Sequence, residues 1–137
     1  MAKEEITPSE WQIMEILWAG GASLTSAEVY KRMQGTVGMS QRMVLVLMNR
    51  LNRKGVLGYT VDADDSRVYH YYALRSREDC VKEKSRRFAE NYFSGSGTNA
   101  MAALLQSFDL TDEQIAELEG ILEQSREHNV KSPHKEG

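Results

Sequence analysis

Between Ser40 and Gly55 the chain spells a helix with both ends marked. Ser40 is a favoured N-cap, and Gly55 supplies the left-handed stop that many helices take at their C-terminus. At helical periodicity Val44, Leu47, Met48 and Leu51 share one face, the i, i+3, i+4, i+7 stripe of a helix that packs on a core. Arg42, Leu45, Val46, Asn49 and Arg53 stand opposite, with Arg50 on the flank. A merely solvated face has no use for Leu45 and Val46. This side is therefore expected to meet a surface that offers both hydrogen bonds and apolar groups.

The neighbouring segments say what that helix belongs to. Thr7, Pro8 and Glu10 form a capping box with proline at the first helical position, ahead of Trp11, Met14, Leu17 and Trp18, and Gly20 with Gly21 ends that run. A second box, Thr25 with Glu28, opens a short helix carrying Ala27, Val29, Tyr30 and Met33, which ends before a turn at Gly35 to Gly38. After the helix at 40–54, the stretches from Val56 to Val61 and from Arg67 to Leu74 are rich in Val and Tyr and flank the turn residues Ala63 to Ser66, a β-hairpin. Three helices and a hairpin, in that order, predict a winged helix-turn-helix over residues 1–75.

Beyond it, residues 76–137 are expected to be a helical dimerisation domain with a frayed C-terminal tail from about His128. Helices are expected from Glu78 to Phe93, broken at Gly95 to Gly97, from Ala100 to Phe108, and after a box formed by Thr111 and Gln114. The fold class is thus mainly α with a small β-hairpin wing. Phe88, Tyr92, Leu104, Leu105, Phe108, Ile115, Leu118 and Leu122 are too many apolar side chains for so short an appendage to bury, and a symmetric second copy is the expected cover.

In a helix-turn-helix the third helix enters the major groove. Arginine and asparagine there can make paired hydrogen bonds to guanine and adenine edges, while Leu45 and Val46 can meet thymine methyls. Ser40, Gln41 and the amides of the helix N-terminus suit a phosphate, and Lys54 would add attraction beyond the groove. Arg67 in the wing is expected to reach a minor groove or the backbone if Asp64 and Asp65 orient it. The formal charge of −3 conceals this arrangement: Arg42, Arg50, Arg53, Lys54, Arg67 and Arg75 make the middle of the chain basic, and acids from Asp109 to Glu127 make the end acidic.

Other chemistries lack their residues. His70, His128 and His134 are scattered, no glycine-rich phosphate loop occurs, and no nucleophile, base and acid form a motif, so neither catalysis nor a cofactor nor a metal is expected. Cys80 is the one cysteine and forms no disulfide framework. Without an apolar segment long enough to span a bilayer or a leader-like start, the protein is expected to be cytoplasmic, without membrane insertion.

The opening SEWQIMEILW, from Ser9 to Trp18, resembles the start of the penicillinase-repressor family, the BlaI and MecI type repressors of β-lactamase and methicillin resistance. The helix ending Asn49 to Gly55, the tyrosine-rich strand to Leu74 and the helix leading to Asn91, Tyr92 and Phe93 are similar to it too. The resemblance implies a homodimeric repressor on a dyad-symmetric operator. It also implies that repression ends when a membrane sensor protease cuts the dimerisation domain, where the segment Leu104 to Phe108 places the bond between Ser107 and Phe108. Ser107 stands where those members carry asparagine. Met43 and Leu45 stand where the family commonly has the threonine and arginine that face the bases, so an operator other than its usual TACA/TGTA is expected. The Cys-x-Cys pair of the copper-responsive members is missing from the stretch Ser132 to Gly137. The alternative is a ligand-responsive winged-helix regulator of the multiple-antibiotic-resistance type, whose wings also carry Asp and Arg.

Overall fold

A computed structural model of the chain describes residues 5–34 and 38–131. The helices are α1 (Pro8–Gly20), α2 (Ser26–Met33), α3 (Gln41–Arg53), α4 (Arg77–Phe93), α5 (Gly97–Ser107) and α6 (Asp112–Lys131), and an antiparallel pair β1 (Leu57–Val61) and β2 (Tyr69–Ala73) lies between α3 and α4. The expected turn at Gly35 to Gly38 and the tail from Ser132 lie wholly or largely outside the described residues. The chain divides into two compact units, residues 1–85 and 86–137, with α4 shared between them.

In the first unit local chemistry sets the helix ends. The Thr7 and Thr25 hydroxyl oxygens each accept a hydrogen bond from the amide of the glutamate three residues on, and the Glu10 and Glu28 carboxylates each accept one from the cap amide. Ser40 caps α3 through the amide of Met43. Gly21 and Gly55 take φ of 70° and 80°, the left-handed conformation that side chains resist, and so stop α1 and α3. Packing then decides how the helices face. Ile13, Met14, Leu17, Val29, Met33, Val44, Leu47, Met48, Leu51, Val56, Leu57 and Tyr71 are all 5% exposed or less and form one core. Burying a side chain of this size is worth about 1.5–3 kcal/mol, more than the roughly 1 kcal/mol of an N-cap. The stripe of α3, more than its cap, therefore orients that helix.

The hairpin pairs Leu57 with Ala73, Tyr59 with Tyr71 and Val61 with Tyr69. It is tied to the helices by Leu24, which exchanges both backbone hydrogen bonds with Tyr71, at 2.9 and 2.8 Å, from the turn before α2. Inside the turn, Asp62 Oδ2 accepts from the amides of Asp64 and Asp65, both at 3.0 Å. Trp18 donates its indole N–H to the carbonyl of Arg75, and Arg77 pairs with Glu15, which joins the start of α4 to α1.

One buried contact has no counterpart in the sequence patterns. Glu10 is fully buried, and its Oε1 lies 2.7 Å from the ammonium of Lys54, itself only 11% exposed in its side chain. The same oxygen accepts the amide of Thr7, and Lys54 also donates to the carbonyl of Glu5. The start of α1 and the end of α3 are pinned to each other by this pair.

In the second unit, Ser94 and Gly95 take positive φ and end α4, and Ser96 caps α5. The box of Thr111 and Gln114 is formed at the start of α6. That helix runs to Lys131, past His128 where fraying is expected, because no proline interrupts the segment and Pro133 is the first breaker after Gly120. Ala100 is buried, whereas Met101, Leu104, Leu105, Phe108, Ile121 and Leu122 are exposed. Among the described residues no helix is long and apolar enough to cross a membrane, and no group of acidic, histidine or cysteine side chains could hold a metal ion.

Lys54→Met should lower stability by about 3–5 kcal/mol, because it strands the buried carboxylate of Glu10. Adding Glu10→Gln should restore part of the loss, since the second change removes the unpaired charge. Urea unfolding of the single and double variants measures both effects; a single variant as stable as the parent contradicts the account.

Candidate nucleic-acid interface

The face of α3 turned from the core is chemically mixed. Arg42, Leu45, Val46, Asn49, Arg50 and Arg53 are all exposed on it, with Leu45 and Val46 at 42% and 41%. Val44, Leu47, Met48 and Leu51, behind them, are buried. Met43 is also exposed and widens the apolar part. Ser40 and Gln41 are exposed at the N-terminus of the helix, although the Ser40 oxygen is committed to the Met43 amide at 3.1 Å. An acceptor approaching there finds the hydroxyl proton and the first amides, next to the positive end of the helix dipole.

The wing stands across from this face. Leu45 and Asn49 of α3, Arg67, Val68, Tyr69 and Tyr71 of the wing, and Thr25, Ser26 and Ala27 of α2 line one open hollow of about 430 Å³. Arg67 is thus brought to the same concave surface as α3. Its guanidinium is highly exposed and held by Asp65, with Nε at 3.1 Å and Nη2 at 3.2 Å from the two carboxylate oxygens. The acid beside Arg67 aims it, and the hydrogen bond holds the Asp65 carboxyl below its ordinary pKa. Tyr59 and Tyr69 stack on the wing with centroids 4.5 Å apart, and Tyr71 lies beneath with its hydroxyl donating to Asn49 Oδ1 at 3.0 Å.

Lys54 is placed differently. Its ammonium faces Glu10 and the Glu5 carbonyl, so its charge is used within the protein and it is not a free phosphate contact. An ion pair across 44 residues leaves no periodic signal in sequence, which is why a lysine at the end of a basic helix reads as a phosphate ligand. The N-terminus of α2 escapes a reading of α3 alone for a similar reason. Thr25 and its capping box mark a helix start, but only the fold sets that start beside Asn49 and Arg67.

The residues expected at a dimer contact lie in the second unit. Phe88 and Tyr92 form an aromatic cluster with Phe93, and Tyr92 is widely exposed. Leu104, Leu105, Phe108, Leu118 and Leu122 line an open apolar groove between α5 and α6, and Ile115 is exposed on an adjoining stretch. Ser107 is the last residue of α5, and Phe108 leaves the helix in an extended conformation.

Comparison with known proteins shows a family. The penicillinase repressor family matches residues 6–124. The methicillin resistance regulatory protein MecI of Staphylococcus aureus strain N315 is 25% identical over 118 residues, covering 86% of this chain and 93% of its own. The penicillinase repressor of Bacillus licheniformis is 26% identical over 122 residues, 89% of this chain and 92% of its own. Among solved structures, the DNA-binding domain of the repressor BlaI is similar at a TM-score of 0.48 and 24% identity, over 57% of this chain and 90% of that one.

The wing has a predictable response to acid. His70, 2.8 Å from Asp62 Oδ1, and then the amides of Asp64 and Asp65 hold the Asp62 carboxyl below its ordinary value of 3.8. A lowered carboxylate stabilises the fold above its unfolded pKa, and that contribution is lost as pH falls through the folded value. The turn should keep its order from neutral pH down to about pH 4 and loosen below it. Asp62→Ala should loosen it at every pH. Amide exchange at Asp64 and Asp65 reports the change; protection that is unaltered in the variant contradicts it.

Proposed function

Because the chain belongs to the penicillinase repressor family, we propose that it represses transcription as a homodimer, each copy laying α3 in the major groove of one half of a dyad-symmetric operator. At the level of the family, it is a DNA-binding transcriptional repressor and not an enzyme. The observation that carries the finer proposal is the composition of one exposed surface: Arg42, Leu45, Val46 and Asn49 on α3, with Arg67 of the wing across the hollow. Arginine and asparagine can read base edges, the two aliphatic side chains fit thymine methyls, and a wing arginine fits backbone or minor groove.

Residues 1–75 are the reading domain on this proposal, and the helices of 76–137 are the dimerisation domain. Leu104, Leu105, Phe108, Ile115, Ile121 and Leu122 are between 41% and 62% exposed, a run of apolar surface that a single copy leaves in water. A second copy supplies the cover and the second half-site. Two half-sites read together give the specificity that one short helix lacks against a genome of competing sequence.

Release of repression follows from the same dependence. A membrane sensor protease that cuts between Ser107 and Phe108 would separate the dimer contact from the readers. In support, this bond sits at the end of α5, where Phe108 has already left the helix in an extended conformation. In cells challenged with a β-lactam, the full-length chain should give way to a shorter fragment, and Phe108→Lys should persist. Persistence of both chains contradicts proteolytic release.

The DNA proposal is tested by Arg42→Glu combined with Arg53→Glu. Operator affinity should fall roughly a hundredfold or more in a gel-shift titration, since each contact carries about 1–3 kcal/mol, while light scattering still gives a dimer. Unchanged affinity would remove α3 from the interface.

A further inference from the structure

The hydrogen bond between the wing and α3 bears on which base α3 reads. Asn49 is exposed on the outward face of α3 and lines the hollow, and its Oδ1 accepts the Tyr71 hydroxyl at 3.0 Å. An asparagine side chain has one oxygen acceptor and two N–H donors at opposite ends of a planar amide. Paired recognition of adenine uses both ends at once, Oδ1 for the N6 amino group and Nδ2 for N7. Here the wing hydroxyl already occupies one of the two lone pairs of the acceptor end.

We propose that Tyr71 makes Asn49 read chiefly as a donor, so that each half-site favours acceptors opposite Asn49, as guanine offers with N7 and O6, over adenine. Tyr71 is a positioning residue in this assignment, because it acts through Asn49. The assignment rests on α3 lying in the major groove, and it replaces the sequence expectation that Asn49 is free to pair with adenine.

Tyr71 is well fixed for the task. Its ring is 2% exposed, its backbone is bonded on both sides to Leu24, and it faces Tyr59 in the β1–β2 register. Burial first, then the neighbouring Tyr69 and Tyr59, pushes its phenol above the ordinary value of 10, so the proton it donates is retained at any working pH. An adenine at this position would have to share Oδ1 with the hydroxyl, in the direction its remaining lone pair allows. A guanine needs only the Nδ2 protons.

The test is selection of operator sequences from a randomised duplex library by the full-length protein and its variants. The parent should favour guanine at one position of each half-site, and Asn49→Ala should flatten that position alone. Tyr71→Phe, which removes only the hydroxyl, should shift the same position toward adenine on the order of tenfold and leave the other positions unchanged. A second variant does not disturb the wing: Asn49→Asp keeps an acceptor for Tyr71 but replaces the donors, and should exchange guanine for cytosine. A Tyr71→Phe preference identical to the parent's, an adenine preference in the parent, or an Asn49→Ala variant that weakens all sequences equally overturns the assignment. If the folded parent selects no sequence at all, the DNA proposal fails and this assignment fails with it.

Discussion

What α3 presents to the outside is set by burial of Val44, Leu47, Met48 and Leu51 in the core shared with α1, α2 and the base of the hairpin. A helix with a stripe of four buried residues cannot rotate by a third of a turn without exposing them, at about 1.5–3 kcal/mol each. The opposite face is then fixed without any contact of its own. Arg42, Leu45, Val46 and Asn49 face outward because their neighbours face inward. Rigidity behind a polar and aliphatic surface is what recognition of a groove demands, since side chains placed loosely lose their discrimination.

The wing extends the same logic by hydrogen bonds. Leu24 bonds the backbone of β2 to the turn before α2, and Asn49 receives the hydroxyl of Tyr71 from the same strand. Asp62 folds the turn, and Asp65 aims Arg67. Helix α3, the start of α2 and the wing arginine therefore belong to one surface. The Glu10 and Lys54 pair closes the far side, where the entry to α1 meets the end of α3. Such pairs contribute less to net stability than to the penalty for any arrangement that separates them.

How much of this was legible in sequence depended on the range of the interaction. The boxes at Thr7, Thr25 and Thr111, the cap at Ser40 and the stop at Gly55 are local, spanning a few residues, and the structure has each of them. The α3 stripe is equally local, because periodicity is a property of neighbours. The likeness of Ser9 to Trp18 to the penicillinase repressors pointed to the family that the comparison assigns. Lys54 was misread because its partner lies 44 residues away, and the bond of Tyr71 to Asn49 spans 22. Helix α6 runs to Lys131, past the His128 from which a frayed tail is expected, and polar residues such as Glu, Gln, Arg and Lys in its last turns are good helix formers.

Contact between α3 and the major groove is tested most directly by methylation interference on a duplex selected by the protein. Dimethyl sulfate marks guanine N7, which lies in that groove. The account predicts that methylation blocks binding at two clusters of guanines, related by a dyad and centred about 10 base pairs or a multiple of that apart. Binding that tolerates methylation at every guanine of the selected site, or interference confined to the minor groove, would contradict it.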